Sequence, residues 1–184
     1  MITTLLLAAG SGRRFGSQKL LAKLPDGRSV IAAAVENLAG CSDRIVAVVG
    51  ADDALANTLR ALGCKVVQNP RADEGMGTSI AAGIAASVES DGWLIALGDM
   101  PYVNSQTVAA VKATMRPGGI VVPQCAGRNG HPVGFGSAYR EELLALLGDT
   151  GARLLLDRHA QTVVHVPVLD EGILRDIDLP SDIR

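Results

Sequence analysis

The segment LLLAAGSGRRFGSQK, residues 5–19, runs from an apolar stretch straight into a basic loop with three glycines. The apolar part has no polar alternation, as expected of a strand buried on both faces. Gly10, Gly12 and Gly16 allow backbone conformations closed to other residues and let a ligand approach the main chain closely. Exposed N–H groups in such a loop form an anion nest. Arg13 adds a guanidinium fork and Lys19 a compact point charge. Together they suit a triphosphate at the carboxyl end of a strand, where open α/β sheets bind their ligands.

Two familiar phosphate motifs do not fit this loop. The dinucleotide fingerprint is G-x-G-x-x-G opening a helix, whereas Gly10, Gly12 and Gly16 are spaced G-x-G-x-x-x-G. Helical patterning begins only after Asp26-Gly27. The P-loop requires G-x-x-x-x-G-K-[ST]; here Lys19 lies three residues past Gly16 and is followed by Leu20.

Working outward, strand-like runs at 4–8, 44–49, 65–68, 93–97 and 120–123 alternate with amphipathic segments at 30–38, 53–62, 78–88 and 105–114. Gly40, Gly63 and Gly92 stand where those helices or their loops should end. The alternation predicts crossover units in an open, mainly parallel sheet covered on both faces, a three-layer α/β/α sandwich. After residue 126 a glycine-rich stretch, AGRNGHPVGFG, precedes helices at 138–147 and 152–158. Strand-like runs follow at 162–168 and 173–177, then a short helix begun by Pro180. No repeat or linker divides the 184 residues, so one domain spanning 1–184 is expected.

A net charge of -2 and an aromatic share of 3% give no reason to expect nucleic acid or an anionic membrane as partner. No apolar run approaches the ~20 residues of a membrane span. The N-terminal MITTLLLAAG has no basic residue and reads as a first strand, not a signal peptide. Cys41, Cys64 and Cys125 are dispersed and odd in number, which points to packing roles and a reducing, cytoplasmic setting.

Two acidic stretches complete the set. In LIALGDMPYV, residues 94–103, a buried strand ends at a glycine and Asp99 emerges before Pro101. Such an Asp is either a turn residue or a magnesium ligand, since magnesium takes one or two carboxylates and completes its shell with phosphate oxygens and water. In ILRDIDLPSDI, residues 173–183, Asp176 and Asp178 share one face of a strand with Ile177 on the other. They form either a polar strand end or a second carboxylate for the same metal.

These stretches resemble the MobA-like nucleotidyltransferases, most of all the molybdenum cofactor cytidylyltransferase type. LAAGSGRRFGSQK is similar to the signature L-A-A-G-x-S/G-x-R-x-G-x-x-K, and NPRADEGMGTSIAAGI to N-x(5)-G-M-x-x-S-x-x-x-G. GDMPYV, GRNGHPVGFG, GDTGARLLL and DIDLPSDI each resemble a further family element, in the same order along the chain. Phe15, Leu179 and Ser181 depart from the usual Met, Thr and Glu.

The resemblance implies a Rossmann-like nucleotidyltransferase fold and a reaction. CTP donates CMP to the phosphate of molybdenum-molybdopterin, releasing pyrophosphate and forming the cytosine dinucleotide. It implies magnesium, with manganese as a substitute, and a molybdenum hydroxylase or its chaperone as client. By the same resemblance Leu7, Ala8, Ala9, Gly10 and Gly12 cradle the nucleotide, and Arg13 and Lys19 neutralise the triphosphate. Asp99 and Asp178 hold the metal, with Asp176 a further carboxylate. Ser79 contacts the base or ribose, and Gly130, His131 and Pro132 the acceptor. Ala8-Ala9-Gly10 replaces the L-A-G-G of the guanylyl-transferring branch, and the added methyl favours a pyrimidine. The rivals are a GTP-dependent or sugar-phosphate nucleotidyltransferase, a nicotinamide-dependent oxidoreductase and a non-catalytic nucleotide-binding accessory protein.

Overall fold

The computed structural model describes residues 1–10, 15, 18–149 and 151–183. Its centre is an eight-stranded mixed sheet. The first three parallel strands, β1 (Ile2–Ala8), β2 (Arg44–Val49) and β3 (Lys65–Gln68), lie in the order β3-β2-β1. β4 (Gly92–Leu97) pairs parallel to β1 on its other side. Beyond it β7 (Val133–Gly136) runs antiparallel to both β4 and β5 (Ile120–Cys125). The two-residue β6 (Arg128–Asn129) pairs antiparallel to the far end of β5. β8 (Val163–Pro167) adds a parallel partner to the other edge of β5.

Strand side chains alternate between two buried layers. Leu6, Ala47 and Leu94 face one core, where Ile31 and Val35 of α1 (Val30–Ala39), Leu55 and Leu59 of α2 (Asp53–Ala61) and Val108 of α4 (Ser105–Thr114) pack. Leu5, Leu7, Val48 and Trp93 face the other. There Ile80 and Ile84 of α3 (Met76–Ala85), Leu143 of α5 (Arg140–Leu144) and Leu155 of α6 (Arg153–Arg158) cover them. This is the expected three-layer sandwich. Ser29, Asp52 and Asn104 cap α1, α2 and α4 by accepting backbone N–H bonds, each worth about 1 kcal/mol. No helix among the described residues is long and apolar enough to cross a membrane.

Four expectations need correction. The stretch at 133–136, read as part of a glycine-rich segment, is the buried strand β7. The run at 173–177 is not a strand: Glu171–Leu174 forms a 3-10 turn, and the residues after it pair with no sheet strand. The helix expected at 138–147 is a 3-10 turn, Ser137–Tyr139, followed by the single-turn α5. α3 begins and ends earlier than its apolar pattern suggested, because Gly75 at φ +120° starts it.

Candidate active site

The carboxyl ends of β1 and β4 open into a cavity of about 470 Å³. Leu7, Ala8, Ala9 and Gly10 form one wall as β1 ends, and the Gly98 N–H donates to Leu7 O at 2.9 Å, holding the two strand ends together. Lys19 enters from a 3-10 turn, Lys19–Leu21. Ser79 and Met76 face in from α3, and Asp99 from the end of β4. The first turn of α3 carries a loop on its back. The Gly77 N–H donates to Gly148 O at 2.9 Å, and a Cβ on Gly75 or Gly77 would strike the backbone of 147–148. That close approach delivers Asp149 to the cavity.

Lys19 ties the site together. Its Nζ lies 2.8 Å from Asp99 Oδ2 and 3.3 Å from Asp178 Oδ1, residues 80 and 159 positions away in sequence. Burial works against the ammonium, but the hydrogen bonds and fields of Asp99 and Asp178 outweigh it and raise its pKa. Lys19 is therefore charged throughout the neutral range. Asp178 is held in turn: Asp182 Oδ2 accepts its backbone N–H at 2.9 Å, and the neighbouring Ile177 N–H donates to Asp99 O at 2.9 Å.

Asp99 Oδ1 is buried and has no hydrogen-bond partner among the described residues. An unmet buried oxygen of this kind costs roughly 1–3 kcal/mol. A hard divalent cation fits that vacant lone pair, and the carboxylate pair Asp99–Asp178 has the chemistry magnesium and manganese select. Among the described residues no three His, Cys, Asp or Glu side chains are grouped to hold a metal. Asp176 lies where its charge acts on the imidazole of His131.

A second cavity of about 620 Å³ adjoins the first, and Met76 and Asp149 line both. Its floor is aliphatic, with Ile80, Ile95 and Val122; its polar rim includes Asn129, His131, Arg153 and Asp157. His131 is half-buried, and its Nδ1 lies 3.4 Å from Ile95 O. Burial lowers its pKa against the opposing effects of Ile95 O, Asp99 and Asp176, so the ring is neutral near pH 7. With Nδ1–H donating to the carbonyl, Nε2 is left as an acceptor.

Of the residues singled out in the sequence, Leu7, Ala8, Ala9, Gly10, Lys19, Ser79 and Asp99 share the first cavity. Asp178 joins them through Lys19. Gly130 and His131 line the second cavity, but Pro132 instead lines a small crevice beside Met100. Gly12 and Arg13 lie outside the described residues. Met100 is packed, at 5% exposure, whereas Met76 is 43% exposed on the border of both cavities. Asp149 and Asn69 were not singled out as site residues. Asn69 opens the N-x(5)-G-M-x-x-S element, which was the available signal, while Asp149 becomes visible only once the 147–149 loop rests on α3.

The MobA-like NTP transferase domain matches residues 4–163. Nicotine blue oxidoreductase of Paenarthrobacter nicotinovorans is 30% identical over 188 residues, covering 96% of this chain and 92% of that one. The crystal structure of Rv0371c from Mycobacterium tuberculosis H37Rv superposes with a TM-score of 0.83 at 26% identity, over 98% of this chain and 94% of that one. Rv0371c has also been crystallised in complex with manganese, superposing at 0.75 and 26% identity over 91% and 88% of the two chains. A nucleotidyl transferase from Methanothermobacter thermautotroptrophicus shares the fold, with a TM-score of 0.86 at 24% identity over 99% and 94%. The match over most of its length, together with the glycine-walled cavity and its lysine–carboxylate cluster, makes this chain a nucleotidyltransferase of the MobA-like family.

Proposed function

We propose that the protein transfers CMP from CTP to the phosphate of a molybdopterin-type acceptor. An acceptor phosphate oxygen attacks the α-phosphorus, the bond from that phosphorus to the bridging oxygen breaks, and pyrophosphate leaves. The carrying observation is the pair of adjoining cavities that share Met76 and Asp149, one bearing the Lys19–Asp99 pair and the other His131. A two-substrate transfer needs two such spaces meeting at one point, because holding both reactants in line supplies much of the rate enhancement.

The roles follow from the chemistry of each group. Past the end of β1 the main chain at Ala9 and Gly10 would offer N–H donors and close approach to phosphates, with Leu7 and Ala8 forming the wall beside them. Lys19 supplies a fixed positive charge for the departing pyrophosphate. Asp99 and Asp178 would hold magnesium or manganese, which when bound neutralises charge on the triphosphate. Arg13 takes its phosphate-binding role from the family resemblance alone. Neutral His131 and the Gly130 backbone face the acceptor. The methyls of Ala8 and Ala9 narrow the cavity wall and favour a pyrimidine, by about 1–3 kcal/mol.

The name of the Paenarthrobacter nicotinovorans relative raises hydride transfer as a second reading. Against it stand the glycine spacing and the acidic residue after β2. Asp52 caps α2 through Leu55 N at 2.9 Å and accepts Gln18 Nε2 at 2.8 Å, which commits it away from a ribose. The test is pyrophosphate release from MgCTP and MgGTP, with and without molybdenum-loaded molybdopterin. Cofactor-dependent release from CTP is expected. Release from GTP alone would overturn the choice of base, and no release with either would overturn the acceptor.

A further inference from the structure

We infer that Asn69 is a positioning residue that fixes the polarity of Ser79, making its hydroxyl an obligate donor into the first cavity. Asn69 is 5% exposed and follows directly on β3, anchored by its backbone N–H to Val49 O at 2.8 Å. Its side chain is fully engaged. Oδ1 accepts the backbone N–H of Arg71 at 3.0 Å, while Nδ2 donates to Thr78 Oγ1 at 2.9 Å and to Ser79 Oγ at 3.0 Å. The amide cannot be turned over: a flip would set Nδ2 against the Arg71 N–H, donor against donor.

The hydroxyl protons then follow by accounting. Thr78 Oγ1 receives a hydrogen from Asn69 and gives its own to Arg71 O, 2.8 Å away, or Gly75 O, 2.9 Å away. Ser79 Oγ also receives a hydrogen from Asn69, but its own proton meets no protein acceptor among the described residues. Ser79 is 4% exposed, and the space it borders is the first cavity. Its proton is therefore left to the ligand, and the ligand atom that this proton meets is an acceptor, such as a carbonyl oxygen or an unprotonated ring nitrogen. This inference rests on the first cavity being the nucleotide site. It does not depend on which base is bound.

The experiment is a double-mutant cycle on Asn69 and Ser79. KM and kcat for the nucleotide are measured in pyrophosphate release, using whichever of MgCTP and MgGTP the wild type prefers. A wild type that turns over only GTP would sink the CTP reading and leave this test intact. Ser79→Ala removes the donor and should raise nucleotide KM about ten-fold, the equivalent of one hydrogen bond. Asn69→Asp is isosteric and still accepts the Arg71 N–H, but it presents oxygen to both hydroxyls and draws the Ser79 proton out of the cavity. It should raise KM by a similar factor with kcat little changed, and have little further effect once Ser79 is alanine. An equal penalty in both backgrounds would mean that Asn69 acts on the fold or by charge, and would overturn the inference. Asn69→Ala, read in the same cycle, replaces the charged variant if that one does not fold. Failure of both to fold, beside a folded Ser79→Ala, would assign Asn69 to the fold alone and equally overturn it.

Discussion

Replacing Asp99 by asparagine should separate stability from activity at the centre of the site. The substitution keeps the shape and leaves an oxygen for Lys19 Nζ, now 2.8 Å from Asp99 Oδ2. Lys19 also retains Asp178 at 3.3 Å, so its charge is not stranded. Against the weakened pair stands the loss of a buried negative charge, although the amide that replaces Asp99 Oδ1 finds no described partner there either. These effects oppose one another and are each of the order of 1–3 kcal/mol. The net change should therefore be within about 1 kcal/mol, a shift of roughly 2–4 °C for a chain of this size. Activity should respond differently, because under the proposed function the lost negative charge is the one that would hold a cation against the triphosphate. Removing a single preorganised charge-stabilising group costs about 10²–10³ in rate. The assay pairs a thermal melt with pyrophosphate release across a manganese titration. Manganese with nucleotide should raise the melting temperature of the wild type and leave Asp99→Asn unmoved. Turnover within a few-fold of wild type would refute the metal assignment, and a fall in melting temperature above about 10 °C would refute the stability reasoning.

Gly130→Ala should damage the site from a distance: the new Cβ would collide with Ile173 O and lie 2.7 Å from Ile173 Cβ, displacing the turn that accepts the His131 N–H. Overpacking of this kind costs about 1–3 kcal/mol, visible as a lower melting temperature with a raised acceptor KM. Burial pushes the Cys64 thiol up to about 11 from an ordinary 9.0, so Cys64 should resist thiol reagents at pH 8 while the more exposed Cys41 reacts; equal rates would contradict its packing. The sign of the linkage is also fixed. The unfolded chain loses this proton first, so stability should decline as pH rises from about 9 to about 11, and Cys64→Ala should flatten that decline in denaturant titrations.

The sheet's parallel half was legible because each strand there has a short apolar centre set between amphipathic segments; β2, β3 and α4 fall at their expected bounds. β7 was not, because Gly134 and Gly136 carry the sequence signature of a loop. Their role is close approach: a Cβ on Gly136 would strike the Arg116–Pro117 backbone, and one on Gly134 would crowd Met115. The run at 173–177 misled in the opposite direction. Ile173 and Ile177, at 1% and 0% exposure, are two anchors of an irregular segment rather than one face of a strand. At the site, the sequence marked Lys19, Asp99 and Asp178 as chemistry, and no periodicity could show that one ammonium touches both carboxylates. Asp149 was hidden for the same reason, since its place depends on packing between a loop and the glycine-started α3.

The segment from Glu171 to Asp182 adds no strand to the sheet, yet it supplies Asp178 to the site. Among the described residues its attachment includes Ile173 and Ile177, each worth roughly 1.5–3 kcal/mol of burial, Gly172 set tight against Tyr102 O, the Lys19–Asp178 pair and a few backbone hydrogen bonds. Peeling it away breaks far fewer contacts than melting the eight-stranded sheet. The part of the candidate site that Asp178 belongs to should thus form a weaker cooperative unit than the scaffold beneath it. Warming should silence the enzyme in a reversible step below the main unfolding transition, and the amides of Ile173 and Ile177 should exchange with solvent before those of β1.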